Sequence, residues 1–207
     1  MKKIILTMLL VMAFGFTNAQ KAQFGIKAGL NSSNFSGDTE GADFKSRIGF
    51  NIGAFVAIKL SEKITLQPEV LYSTQGAKVE NVSAMYNGVN YTGDVKFNFS
   101  YINVPIMLKY YVADKFNLEV GPQIGFLASA KTSTKIDGFS QKTDQDVKDF
   151  FETVDVALNF GAGYDFTEKF FAGIRYNLGV SNIFNSESGG DSKSQNSVFS
   201  LSVGYKF

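Results

Sequence analysis

The stretch 47–60, RIGFNIGAFVAIKL, alternates between two kinds of side chain. Every even position, from Ile48 to Leu60, is apolar, whereas the odd positions hold glycine, alanine, asparagine or a cation, with Phe55 as the single large exception. Because successive side chains of a β-strand point to opposite faces, this period of two predicts a strand with one apolar face.

The same alternation recurs in seven further stretches, so the chain is predicted to form eight strands. Three of the connections are tight turns (SEK, ADK and TEK), and they alternate with four long polar loops. An even number of strands joined in this way predicts an all-β fold, an eight-stranded antiparallel up-and-down barrel. The predicted strands cover 22–34, 47–60, 63–76, 95–112, 115–131, 154–166, 169–182 and 197–207, and the predicted loops cover 35–46, 77–94, 132–153 and 183–196.

Two local irregularities are also predicted. Phe97, Phe99 and Tyr101 fall on the opposite phase to the apolar residues that follow them, which predicts a bulge near Tyr101. In the third long loop, the segment 144–154, DQDVKDFFETV, has apolar residues at helical spacing and predicts a short helix.

Alternation alone fits two opposite barrels, because the apolar face lines the inside of a soluble barrel and the outside of a membrane barrel. Here the polar face is also rich in glycine, and the narrow interior of eight strands suits small residues. The same face carries the strand charges, each of which would cost about 2–4 kcal/mol as Lys or Arg facing lipid. Aromatic residues near the tight turns, such as Tyr110, fit a membrane interface. We therefore predict a transmembrane β-barrel.

The charges on the small face are predicted to form a structural network in the barrel lumen, because buried charges must be paired. A role for its carboxylates in acid–base catalysis is the alternative, as in a lipid-modifying barrel enzyme. The predicted network comprises Lys27, Arg47, Lys59, Glu69, Lys109, Glu119, Asp155, Asp165, Arg175 and Lys206.

The N-terminal segment MKKIILTMLLVMAFGFTNAQ has the features of a secretory signal peptide. Two lysines are followed by an apolar run and then by small residues, and the run is too short to span a membrane as a helix. We predict a signal peptide at 1–19, cleavage between Ala19 and Gln20, and a single β-barrel domain at 20–207.

The composition excludes several classes of site. The chain of 207 residues has no Cys and no His, so it forms no disulfide, no Cys-based metal site and no Ser-His-Asp triad. Its formal net charge of +1 provides no electrostatic basis for binding nucleic acid. We expect no catalytic residue, no cofactor and no metal.

Four segments carry a resemblance to a known family: FGIKAGLNSS at 24–33, LQPEVLYSTQGAK at 66–78, YINVPIMLKYY at 101–111 and LSVGYKF at 201–207. Together they resemble the PorT-like, or "porin family", outer-membrane β-barrels, which are related in architecture to OmpA- and OmpX-like barrels. The resemblance implies an eight-stranded barrel in the outer membrane of a Gram-negative bacterium. It also implies a PorT-like accessory role in assembly of a secretion system as one option.

We expect a non-enzymatic barrel with a structural or surface-interaction role, its termini in the periplasm and its long loops outside. A narrow passive pore is the alternative. The expected partners are outer-membrane lipids and the barrel-assembly machinery, and we expect a monomer. The final alternating stretch is predicted to pair with the first strand and close the barrel. Its aromatic end, Tyr205 and Phe207, also resembles the assembly signal of outer-membrane proteins.

Overall fold

The computed structural model describes residues 22–37, 43–86, 89–136, 142–185 and 194–207. Within them the chain forms one antiparallel sheet of ten strands and a short 3-10 helix at Lys148–Phe150. The predicted signal peptide and its cleavage site at Ala19 and Gln20 lie outside the described residues. The strands are β1 (Ala22–Gly37), β2 (Phe44–Lys59), β3 (Ile64–Gln75), β4 (Ala77–Tyr86), β5 (Val89–Ala113), β6 (Phe116–Ile136), β7 (Lys142–Asp146), β8 (Val154–Asp165), β9 (Phe170–Gly179) and β10 (Ser194–Lys206).

The ten strands form eight walls of a closed barrel, because two walls are each interrupted once. β3 and β4 follow one another between β2 and β5, and β7 and β8 follow one another along β6. β1 pairs with β10 from Gly25–Lys206 to Gly37–Ser194, which closes the sheet. This topology confirms the predicted up-and-down barrel. No helix in the described ranges is long and apolar enough to cross a membrane.

Gly76 interrupts the third wall. Its φ of 136° is a conformation that residues with a side chain rarely adopt. The Ser33 hydroxyl of β1 fixes this break, because it donates to the Gly76 carbonyl at 2.8 Å and accepts from the Gly76 N–H at 2.9 Å. The wall therefore bends where β3 ends and β4 begins.

Apolar side chains cover the outside of the barrel. Ile48 is 69% exposed and Leu30 is 62% exposed, whereas Glu69 is 1% exposed and Asn159 is fully buried. A water-soluble barrel has the opposite arrangement. The outer face is thus the apolar face, as the alternation predicts.

Strands on one side of the barrel continue well past the apolar belt. The outward-facing apolar run of β5 extends from Ile102 to Val112, 11 residues, which matches the 9–11 residues that cross a bilayer. β5 itself has 25 residues, and β4, β6 and β7 continue beside its extension. The prediction that 77–94 is a long loop was therefore wrong over most of its length, and the predicted loop 132–153 contains strand at 132–136 and 142–146.

The bulge predicted near Tyr101 is present, but its extra residue belongs to β6 and not to β5. The pairing of β5 with β6 shifts register between Ser100 and Tyr101, and the extra residue is Ala128 of β6. Phe99 and Tyr101 are each 1% exposed and face the lumen, on the same side as Met107. The phase of β5 does not change, so these aromatic residues are interior rather than lipid-facing.

The lumen has an apolar cluster at each end. We call the end with the tight turns the turn end and the opposite one the loop end. At the turn end, Phe55 and Phe171 meet edge to face, with ring centroids 5.5 Å apart. At the loop end, Phe99 packs on Phe151, which directly follows the 3-10 helix that stands where a short helix is predicted. The loop-end cluster comprises Phe35, Ala77, Phe99, Tyr101, Leu127, Ala130, Phe151 and Ile183.

Candidate functional site

Five charged residues form an alternating chain across the middle of the lumen, which we call the charge chain. Its order is Lys27, Glu69, Arg175, Glu119 and Lys109. Lys27 Nζ lies 3.2 Å from Glu69 Oε2, and Arg175 donates to both oxygens of Glu69 at 3.0 and 2.9 Å. Arg175 Nε also donates to Glu119 Oε1 at 2.7 Å. Arg175 thus joins the two carboxylates.

The last link of the charge chain is the longest. Lys109 Nζ lies 3.6 Å from Glu119 Oε2, beyond hydrogen-bonding distance, and 5.0 Å from the centre of the Phe171 ring. All five members are at least nine-tenths buried. The charge chain therefore begins and ends with a lysine, and each lysine has one carboxylate partner.

A layer of uncharged polar side chains lies between the charge chain and the loop end. Asn51 Nδ2 donates to Asn31 Oδ1 at 2.7 Å, and Asn31 Nδ2 donates to Ser73 Oγ at 2.9 Å. Across the lumen, Asn177 Nδ2 donates to Asn159 Oδ1 at 3.0 Å. These amides fill the lumen with groups that satisfy one another, as buried polar groups require.

A separate ion pair stands near the turn end. Lys206 Nζ donates to Asp165 Oδ2 at 2.9 Å, and the Tyr111 hydroxyl donates to the same oxygen at 3.0 Å. Lys206 Nζ also lies 5.5 Å from the centre of the Phe171 ring. This pair and the Phe55–Phe171 contact fill the turn end of the lumen.

Three residues of the predicted network stand apart from these ion pairs. Lys59, the last residue of β2, is exposed and forms no ion pair with a described residue. Arg47 hydrogen-bonds to Asn98 Oδ1 at 3.0 Å and to the Gln75 carbonyl at 3.1 Å, not to a carboxylate. Asp155 accepts hydrogen bonds from Ser181 and Asn196 instead of pairing with a cation.

The network predicted from the sequence contains charged residues alone, so it omits several uncharged residues of the lumen. Asn31, Asn51, Asn159 and Asn177 lie on the same face as the charges in the alternating pattern. Applying that alternation to uncharged polar residues would have found them. Phe171 is on the same face of β9 as Gly173 and Arg175, so the alternation assigns it to the lumen as well.

The geometry favours structural roles for the carboxylates. Glu69 is held by Lys27, Arg175 and the Gln67 amide, so both of its oxygens are occupied. No group of three or more potential metal-ligating residues occurs in the described part of the chain. A small cavity with room for about one water molecule adjoins the charge chain.

The chain end predicted as an assembly signal lies at the turn end. Phe207 N–H donates to the Phe24 carbonyl at 2.9 Å, and the rings of Tyr205 and Phe207 are 5.5 Å apart. Phe207 is 67% exposed on the outer surface. Phe170 packs on Tyr205 with centroids 4.9 Å apart, which extends an aromatic rim around this end.

Comparison with known proteins gives one family and several solved barrels. The model of a family described as "Outer membrane protein beta-barrel domain" matches residues 18–185. Neisserial surface protein A is 15% identical with a TM-score of 0.52, and the match covers 91% of this chain and all of that one. The attachment invasion locus protein Ail of Yersinia pestis is 17% identical with a TM-score of 0.47 and the same coverage. No curated protein matches the chain in sequence.

Proposed function

The chain belongs to the family of outer membrane protein β-barrel domains, and from this premise we propose that it is a non-enzymatic barrel that binds a partner at the cell surface. The family places it in the outer membrane of a Gram-negative bacterium. The proposal rests on one observation, which is that strands β4 to β7 continue as a sheet beyond the apolar belt.

This projecting sheet is larger than anchoring requires. The part of β5 from Val89 to Ser100 lies beyond the apolar run, which at about 3.4 Å per residue amounts to roughly 40 Å of strand. Its outward positions are polar, including Lys96 and Asn98. On the neighbouring β4, Met85 is 73% exposed. A sheet that extends into water with apolar and polar side chains on its surface can bind a protein or glycan partner.

The ends of the sheet also suit recognition. β7 pairs with β6 alone, and β4 pairs with β2 only at Ala77–Val79, so parts of both strands have an edge unpaired by the described residues. Such edges offer backbone donors and acceptors to a partner strand. An accessory role in a secretion system, implied by the PorT-like resemblance, would be one form of this interaction.

The side chains that fill the lumen argue against the passage of solutes. The charge chain, the amide layer and the two apolar clusters fill it from the turn end to the loop end. We propose that the barrel conducts no solute of porin size. Planar-bilayer recording tests this, and a stable open state of porin size would contradict it.

We propose an orientation with the turn end in the periplasm, which is supported by the short turns and the aromatic rim there. The absence of Cys allows single-cysteine labelling on whole cells. Ser83→Cys on β4 should react with a membrane-impermeant maleimide on intact cells, and Lys63→Cys in the first tight turn only after permeabilisation. Labelling of Lys63→Cys on intact cells would reverse the orientation.

The surface interaction itself is tested by site-specific photo-crosslinking in the native membrane. A crosslinker at Met85 should capture a defined macromolecule from the cell surface or its surroundings. The matched control is Leu201, which is 53% exposed on the apolar belt and should capture lipid. Capture of lipid alone from both positions would contradict the proposed role and leave a purely structural one.

A further inference from the structure

The charge chain has an excess positive charge. It contains three cations, Lys27, Arg175 and Lys109, and two anions, Glu69 and Glu119, so its net charge is three minus two, or +1. All five side chains are buried. A buried charge without a counter-charge is strongly unfavourable, and a partner is expected close by.

No other described carboxylate supplies that counter-charge. Asp165 is paired with Lys206, which makes a neutral unit. Asp155 lies six residues along β8 from Gly161, the position that pairs with Glu119, which is about 20 Å at 3.3 Å per residue. The excess charge therefore remains in the middle of the lumen.

A cavity lies where the two ends of the charge chain approach each other. Its lining includes the terminal residues Lys27 and Lys109, together with Arg175, Glu119 and Ser202. The same cavity therefore borders all three cations and one of the two carboxylates of the charge chain. An anion there would lie between the two lysines and would close the open chain into a ring of alternating charge.

Two glycines create this space. Gly163 and Gly173 pair with each other across β8 and β9 and both line the cavity. Within 4 Å, a Cβ on Gly173 would meet only backbone atoms, of which the Ala162 carbonyl oxygen is the nearest at 3.2 Å.

We propose that this cavity binds a single small monovalent anion, chloride, held by Lys27, Lys109 and Arg175. Lys109 fits this role because its ammonium makes no hydrogen bond to Glu119 and retains donors for an anion. The size of the cavity, about that of one water molecule, selects a monatomic anion over a carboxylate or phosphate.

The test compares chloride with gluconate, an anion too large for the cavity. The refolded barrel in detergent is unfolded with urea at constant pH and ionic strength while sodium chloride replaces sodium gluconate. The folded-to-unfolded ratio should rise with chloride and follow a saturation curve, by about 11-fold at ten times the dissociation constant. Equal stability in the two salts would overturn the proposal.

Two variants and one control make the result specific. Lys109→Met removes the excess charge, and Gly173→Ala fills the space while it leaves every charge in place, so both should lose the chloride response. Lys59→Met removes an exposed lysine that does not line the cavity, and this variant should keep the chloride response. An unchanged response in Lys109→Met would overturn the site.

Crystals of the unaltered protein grown in bromide provide a readout that does not depend on any variant. An anomalous peak in contact with the ammonium groups of Lys27 and Lys109 is expected. Density without anomalous signal at this position would show that the cavity holds water, and it would overturn the proposal.

Discussion

Arg175 donates two hydrogen bonds to the Glu69 carboxylate across the lumen, at 2.9 and 3.0 Å, although the two residues are 106 positions apart in the sequence. They belong to β9 and β3, which are not neighbours in the sheet. The contact therefore joins opposite sides of the barrel, where backbone hydrogen bonds cannot reach.

Glu69→Gln should destabilise the barrel by about 3–5 kcal/mol, because it leaves Lys27 and Arg175 buried with one carboxylate fewer. Urea unfolding followed by circular dichroism measures the change. Lys59→Gln is the matched control and should stay within about 0.5 kcal/mol of the unaltered protein. A Glu69→Gln variant of unchanged stability would mean that water already screens these charges.

Gly204→Val should destabilise the turn end by about 1–3 kcal/mol, since even a Cβ at this position would overlap the Phe171 ring. Combining it with Phe171→Ala should cost less than the sum of the two single changes, because the removed ring makes room for the valine. A double-mutant cycle of unfolding free energies measures this. Additive costs would show that the steric conflict lies elsewhere.

Gly76→Ala should cost about 1–3 kcal/mol, because the backbone at φ 136° excludes a side chain. Ser33→Ala should cost a similar amount, about 1–3 kcal/mol, by leaving the Gly76 backbone groups without their partner. Thermal unfolding of each variant measures the loss. If Gly76→Ala were neutral, the third wall would have to be continuous rather than bent.

Deleting Phe207 should lower the fraction of barrel inserted into the outer membrane more than it lowers expression. The deletion removes the hydrogen bond to the Phe24 carbonyl and the aromatic end that resembles an assembly signal. Heat-modifiable migration of the membrane fraction on gels measures insertion, with expression as the internal reference. Unchanged insertion would leave barrel closure as the only role of this end.

Alternation sufficed to predict the barrel walls wherever one face meets lipid and the other meets the lumen. It failed beyond the membrane, because both faces of the projecting sheet meet similar surroundings and the contrast between positions disappears. For this reason the segment from Ala77 to Tyr86 has no clear period of two in its sequence, although it forms a strand. Phe99 and Tyr101 have the apolar character of lipid-facing residues, although their positions in the alternation are those of the lumenal face.

The members of the charge chain could be chosen from the sequence, but not their order. Alternation assigns Glu69 and Arg175 to the lumen, yet their contact depends on how far each strand is staggered around the barrel. The same rule assigned Lys59 to the buried network, but Lys59 is exposed, because it is the last residue of β2. Position along a strand matters as much as the face.

The contact between Phe55 and Phe171 has a consequence for the order of folding. Phe55 comes from β2 and Phe171 from β9, and their rings lie over Gly25 and Gly204 on the two strands that meet at the seam. The rings can meet only when the two ends of the chain come together. Contacts between residues so distant in sequence are slow to form, so we expect the closing of the seam and the dehydration of its aromatic lining to occur together.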